Sequence, residues 1–311
     1  MKGKALIIAI TALIALAMFA LHQEDSQGQV YEEWKKTYGY QWDPIEDAYR
    51  KIIFRKNVDL MEKHNADPFQ TYKMGINQFS AFTDKEFVET YLDTNSYKNI
   101  EQVKTEESDS SILEDIDWTT KGGVTPVKNQ GSCGSCWAFS AVGSSESWYK
   151  IQKGNTISLS EQQLVDCSGS YGNQGCSGGY PSAALKFIRD RGIVETSSYP
   201  YSGYQGYCRM NGGSFRVSSY GSVTGCSNMQ NALNSQPLSV CVDASNWSRY
   251  SSGIFSYCGS SINHAVLLVG YTSTYWKIKN SWGPSWGENG FIRTAQGNTC
   301  GMCGYEAVWP Q

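Results

Sequence analysis

Residues 130–140 read Gln-Gly-Ser-Cys-Gly-Ser-Cys-Trp-Ala-Phe-Ser, two cysteines three apart among small residues with aromatics behind them. Three chemistries use a Cys-x-x-Cys spacing: a zinc half-site, a dithiol redox pair, or two cysteines with separate tasks. Cys136 falls at the expected start of a helix that runs to about Lys153, with Ser135 placed to cap it and Gly154 to stop it. The free N–H groups and the dipole at a helix start favour an anionic sulfur. Cys133, in the preceding loop, lacks that advantage. A second such pair, Cys300 and Cys303, is too remote in sequence for an obvious zinc ribbon. No strand–motif–helix unit of the redox type surrounds the first pair. Separate tasks for Cys133 and Cys136 fit best.

Working outward, the chain has 311 residues, of which 40% are hydrophobic, with 10 Trp and 20 Tyr. That is ample apolar surface for one large domain plus an appendage. A net charge of -3 gives no electrostatic reason to expect nucleic acid. Lys2 and Lys4 precede an apolar run from Ala5 to Leu21 broken only by Thr11, the pattern of a secretory signal over residues 1–21, cut at about 17–22. A signal anchor is the rival reading. No other stretch is apolar enough to span a membrane, so no stable anchor is expected. Passage through an oxidising compartment makes disulfides the default for the ten cysteines, all of which lie after residue 132.

Residues 30–92 carry apolar positions at helical spacing, and residues 93–111, DTNSYKNIEQVKTEESDSS, form a polar, acidic linker. Beyond it come helices: Cys136 to Lys153, Gln162–Cys167 behind the capping-box spacing Ser158 to Glu161, and Pro181–Arg191 before Gly192. After about residue 212 the pattern turns to strands, with LSVCVDA, AVLLVGY, YWKIKNSW and GFIRTA between Gly- and Ser-rich turns. Helices first and strands later predict an α+β domain in two lobes.

The chain has three histidines, and only His264 lies beyond the linker, just before an apolar strand. A nucleophilic thiol needs an imidazole to shuttle its proton and a group to orient that imidazole. With one histidine available, the choice is forced. The Gln130 amide, with the N–H of Cys136, can hold a developing oxyanion.

Four ordered motifs, QGSCGSCWAFS (130–140), CSGGYP (176–181), NHAVLLVGY (263–271) and KNSWGPSWGENG (279–290), together resemble the papain family, the cathepsin L-like cysteine peptidases. His264 follows Cys136 by 128 residues and Asn280 by 144, in agreement with that family. The resemblance implies a papain-like fold with a helical left lobe and an antiparallel, barrel-like right lobe behind a helical propeptide. It implies Cys136 as nucleophile, His264 as base and acid, Asn280 as orienter, Trp282 as a shield over that bond, and Gln130 as oxyanion donor. The Cys136 and His264 pair is expected to rest as thiolate and imidazolium. Disulfides Cys133–Cys176, Cys167–Cys208 and Cys258–Cys300 follow from the same matching. Cys226, Cys241 and Cys303 are left over, and one further bond plus one free thiol is the simplest expectation.

The resemblance also implies a cleft in which Gly178 and Gly179 pair with an extended peptide. Tyr180, Pro181, Cys241, Ile262 and Ala265 wall the pocket for the second residue before the cleaved bond, which favours a hydrophobic side chain. Cys300 to Pro310 is one residue longer than the family pattern, so Tyr305 or Glu306 floors that pocket. Residues 22–111 resemble the inhibitory propeptide. Glu46, Arg50, Phe54, Asn57, Met61 and Asn65 carry its long-helix signature, and Gly75, Asn77 and Phe79 its short motif. Ala81 stands at that motif's acidic position, with Asp84 nearby, which questions the acid trigger. Maturation is expected near Ser111–Glu114, releasing residues 112–311. Neither cofactor nor metal is implied. Peptide or protein substrates, the chain's own propeptide as inhibitor, a monomer, and a lysosomal, vacuolar or extracellular destination are. Asn246-Trp-Ser248 is a glycosylation sequon. Two further readings fit parts of the chain: a non-catalytic homologue, and a stand-alone inhibitor from residues 22–111. Peptide ligation would use the same residues.

Overall fold

A computed structural model describes residues 27–97 and 114–311. The expected signal segment 1–21 and the linker beyond residue 97 lie outside them. Within 30–92 the helical expectation is met in three pieces. Helix α1 (27–38) precedes α2 (Pro44–Ala66). The Asp43 carboxylate accepts from Ile45 N and Glu46 N, and Pro44 takes the first helical position, where its missing N–H is no loss. Tyr31 and Trp34 pack on Phe54 and Val58, with Ala81 sealed among them. Strand β1 (Tyr72–Met74) follows, too short to show a period of its own. Helix α3 (Asp84–Tyr91) opens on a capping box in which Thr83 and Glu86 each satisfy the other's backbone N–H. Arg50 then clamps α2 to α3, donating to Glu46 at 2.6 Å, Glu86 at 2.9 Å and the Ala81 carbonyl at 3.1 Å.

The remainder runs β2 (Ile116–Asp117), α4 (Cys136–Lys153), α5 (Glu161–Cys167), α6 (Pro181–Arg191), β3 (Tyr220–Val223), α7 (Cys226–Leu233), β4 (Leu238–Val242), β5 (Tyr250–Phe255), β6 (His264–Tyr271), β7 (Tyr275–Lys279), β8 (Phe291–Ala295) and β9 (Ala307–Pro310). The sheet order is β1-β5-β8-β7-β6-β4-β9-β3, with β2 on β6. Pairing is antiparallel except between β5 and β8. Tyr72 on β1 lies opposite Gly253 on β5, so the front segment extends the sheet of the back segment. Gly253 sits at φ 92°, and a side chain there would meet the Thr71 carbonyl at 2.6 Å.

Helix α4 joins the two lobes, packing on α5 and α6 on one side and on β4, β6 and β9 on the other. Every residue from Cys136 to Ser147 is buried, as expected of a helix with packing partners all round and small residues where backbones approach. Gly154 ends it at φ 71°. Two caps differ from expectation. Ser135 makes no side-chain cap bond, because its hydroxyl pairs with Tyr201 Oη at 2.7 Å. Helix α5 is capped by Ser160, which accepts from Gln163 N, and not by Ser158. Four disulfides close the structure: Cys133–Cys176, Cys167–Cys208, Cys258–Cys300 and Cys226–Cys303. The free thiols among the described residues are Cys136 and Cys241.

Candidate active site

Cys136 is the first residue of α4, and His264 the first of β6. Asn280 follows β7, the strand paired with β6, so adjacent strands carry the imidazole and its partner. His264 Nε2 lies 2.8 Å from Asn280 Oδ1. With the amide oxygen as acceptor, Nε2 carries the proton and Nδ1 keeps its lone pair. Nδ1 is buried and has no partner among the described residues. The Trp282 ring stacks on the imidazole, 4.8 Å between centroids and 27° between planes. All of these residues are buried: Cys136 and His264 are 0% exposed.

Gln130 is oriented from three sides. Its Oε1 accepts from Ser281 Oγ at 2.6 Å, its carbonyl accepts from Tyr201 Oη at 2.7 Å, and its Nε2 donates to the Cys133 carbonyl at 3.1 Å. Nε2 also reaches the Tyr91 carbonyl of the front segment at 3.3 Å. Gly134 explains the small residue between the two cysteines, since a side chain there would sit 2.5 Å from the Cys176 carbonyl.

The front segment occupies the cleft. Asp93 N donates to the Asn263 carbonyl at 2.8 Å, and Asp93 Oδ2 accepts from Gly179 N at 3.1 Å. Tyr97 Oη donates to the Gly179 carbonyl at 2.9 Å. The Tyr97 ring sits edge-on to Tyr180 at 5.5 Å and Tyr305 at 5.4 Å, with Cys241 Sγ 3.5 Å from its hydroxyl. Ile262, Ala265 and Tyr180 belong to the same apolar cluster, and Pro181 is buried at the start of α6. Tyr305 is the residue against the seated ring, and Glu306 is only half-buried. The expected linker thus begins later than residue 93. Asp93, Ser96 and Tyr97 are buried: the Gly179 N–H and carbonyl pair with the Asp93 and Tyr97 side chains, and the Tyr180 hydroxyl donates to the Ser96 carbonyl. Tyr97 is the sole aromatic in 93–111, the one sequence signal that could have marked it.

Burial acts on both titratable groups of the site. Burial, then the Asp93 carboxylate, pushes the Cys136 thiol up to about 12, against backbone hydrogen bonds that favour the anion. Burial pulls His264 down to about 4, against the Asn280 bond. Both shifts favour the neutral thiol and the neutral imidazole while the front segment covers the site. No group of three or more metal-ligating side chains occurs among the described residues.

Residues 112–309 match the papain family cysteine protease domain, and residues 31–87 the cathepsin propeptide inhibitor domain. Fruit bromelain of Ananas comosus is 40% identical over 297 residues, covering 88% of this chain and 83% of its own. A cathepsin L-like proteinase of Fasciola hepatica is 39% identical over 311 residues, covering 93% and 95%. Among solved structures, a recombinant stem bromelain precursor superposes with TM-score 0.83 at 38% identity, over 92% of this chain and 99% of the other. Digestive procathepsin L 3 of Tenebrio molitor larval midgut gives TM-score 0.81 at 35% identity, over 91% and 98%.

Proposed function

The chain belongs to the papain family of cysteine proteases and is a cysteine endopeptidase in precursor form, and from that premise we propose that Cys136, His264 and Asn280 carry the chemistry. The observation that carries this reading is the His264–Asn280 bond under Trp282, which leaves Nδ1 as an unpartnered base in the half that holds the free Cys136 at a helix start. Once the front segment leaves, the His264 Nδ1 takes the Cys136 proton. The thiolate attacks the scissile carbonyl carbon, and the oxyanion accepts bonds from Gln130 Nε2 and Cys136 N–H. His264 returns its proton to the leaving amine, and a thioester remains on Cys136. A water, giving its proton to His264, then releases the acid and restores the thiol. Asn280 holds the imidazole with Nε2 turned away from the sulfur throughout.

Substrate adds as a strand along Gly178 and Gly179, and the pocket walled by Tyr180, Pro181, Cys241, Ile262, Ala265 and Tyr305 takes a hydrophobic side chain at the second position before the cleaved bond. The seated Tyr97 ring supports that preference. Residues 1–21 direct the chain into the secretory route, towards a lysosomal, vacuolar or extracellular site. Residues 22–111 inhibit in cis, and a cut near Ser111–Glu114 frees a monomeric peptidase of residues 112–311. No helix among the described residues is long and apolar enough to cross a membrane.

Intact mass of the purified precursor, before and after incubation at about pH 4–5 with a peptidyl epoxide in a parallel sample, tests this. A fall to the mass of residues 112–311 with one label on Cys136 is expected. A separately cleaved mature form that takes no label would end the enzymatic assignment.

A further inference from the structure

The fourth disulfide has no role in the chemistry above, yet it ends two residues from the pocket. Between β8 and β9 the segment Thr299–Gly304 is irregular, with Cys300 at φ 58° and Gly301 at φ 72°. It has no regular ladder of its own, so its shape depends on ties to neighbours. Cys258–Cys300 and Asp243 N to the Cys300 carbonyl at 2.8 Å hold its front half. Cys226–Cys303 and Gly225 N to the Cys303 carbonyl at 2.9 Å hold its rear half, with Asn298 Oδ1 accepting from Cys303 N and Gly304 N. Cys226 begins α7, whose Met229 and Leu233 are fully buried in the sheet core, so this anchor is rigid. Gly304, with no side chain to fix its torsions, separates Cys303 from Tyr305. Tyr305 in turn meets the seated Tyr97 ring edge-on, at 87°.

We propose that the Cys226–Cys303 bond is a specificity-positioning pair: it holds Tyr305 edge-on to the pocket and so selects aromatic side chains at the second position before the cleaved bond. This rests on the reading of that pocket given under Proposed function. The cross-link touches no substrate. It acts through the ring of Tyr305, and an edge-to-face contact is worth a factor of about 3 to 10 in affinity.

The test uses the mature enzyme and coumarylamide substrates carrying Phe, Tyr or Leu at the second position. Cys226→Ala/Cys303→Ala is expected to raise KM for Phe and Tyr about 3- to 10-fold, with kcat and the Leu substrate changed less than about 2-fold. Tyr305→Ala should lose the same aromatic preference while also raising KM for the Leu substrate, since it opens the pocket itself, and the triple variant should match Tyr305→Ala alone, because the cross-link acts only through that ring. If the double alanine chain does not accumulate, Cys226→Ala/Cys303→Val serves in its place. Retained aromatic preference with only a lower melting temperature would overturn the proposal and leave a plain staple. Additive losses in the triple variant would overturn it too. A wild-type enzyme that neither hydrolyses the substrates nor takes an epoxide on Cys136 would remove the catalytic reading itself, a failure distinct from either.

Discussion

Asp93 Oδ2 accepts the Gly179 N–H at 3.1 Å, which sets a buried carboxylate of the front segment on the backbone edge proposed for substrate. The same glycine's carbonyl accepts from Tyr97, so side chains, not a paired strand, cap this edge. A segment held this way blocks the cleft without presenting its own peptide bond in the substrate register.

Asp93→Ala should therefore weaken inhibition. A hydrogen bond to a charged group is worth about 1.5–3 kcal/mol, or roughly 10- to 100-fold in the open fraction. Precursor processing followed by intact mass should accelerate accordingly. An unchanged rate would mean that Tyr97 and β1 hold the segment without help from Asp93.

Two free thiols make a clean comparison. Cys136→Ala is expected to cut kcat/KM by at least about 10⁴-fold and abolish epoxide labelling. Cys241→Ala should leave the label intact and alter only KM. Labelling that followed Cys241 instead would displace the nucleophile assignment.

Asn280→Ala removes the partner of His264 Nε2. A neutral hydrogen bond contributes about 1 kcal/mol, and loss of ring orientation adds to it, so kcat should fall by about 10-fold or more at nearly constant KM. A change confined to KM would assign Asn280 to substrate binding.

A carboxylate at position 81 would be set among the aromatic and apolar side chains that surround Ala81, so an acid trigger is expected elsewhere. Ala81 is 0% exposed in the aromatic cluster between α1 and α2, which suits an apolar residue. Asp84 does pair with Arg249 at 2.6 Å, but its side chain is 69% exposed and such a pair is weak. His264 offers a stronger lever. In a Cys136→Ala precursor no thiol can hand its proton to the ring, and there the covered value of about 4 lies below the ordinary 6.5, so the opened site binds more protons between those limits. Closure is at full strength above pH 6.5 and weakens as pH falls towards 4, by on the order of 3 kcal/mol at most. In the covered wild-type chain the Cys136 thiol, pushed up to about 12, keeps its proton over this range. Hydrogen exchange of residues 91–97 in a Cys136→Ala precursor should rise between pH 6.5 and 4. His264→Gln should flatten that rise, and an unaltered profile would return the trigger to the carboxylates.

Much of this was legible in the sequence, and the exceptions have physical causes. The start of α4 at Cys136 and its end at Gly154 were marked by a helix-stopping glycine and a run of small and apolar residues. β4, β6, β7 and β8 were apolar runs bounded by turn residues. β1 and β9 span three and four residues, and they exist because partners on β5 and on β3 and β4 recruit them. Ser135 resembled a cap, but tertiary contact with Tyr201 took its hydroxyl. His264 stood out as the one histidine beyond the linker, Cys136 by its place at a helix start and Gln130 by its place six residues before it, whereas Asn280 was marked only through the resemblance to the papain family. Asp93 and Tyr97 could not be found, because their roles depend on where a polar segment comes to rest.

The burial of Cys136 also protects it. Thiolates, not thiols, are what peroxides and electrophiles attack, and each step from sulfenic to sulfonic acid makes recovery harder. With its thiol pushed up to about 12 and fully enclosed, the proposed nucleophile is shielded from that chemistry until the segment over it departs. The precursor is then a preservative as well as a lock: it sets the shelf life of the sulfur, and the oxidative clock starts at release.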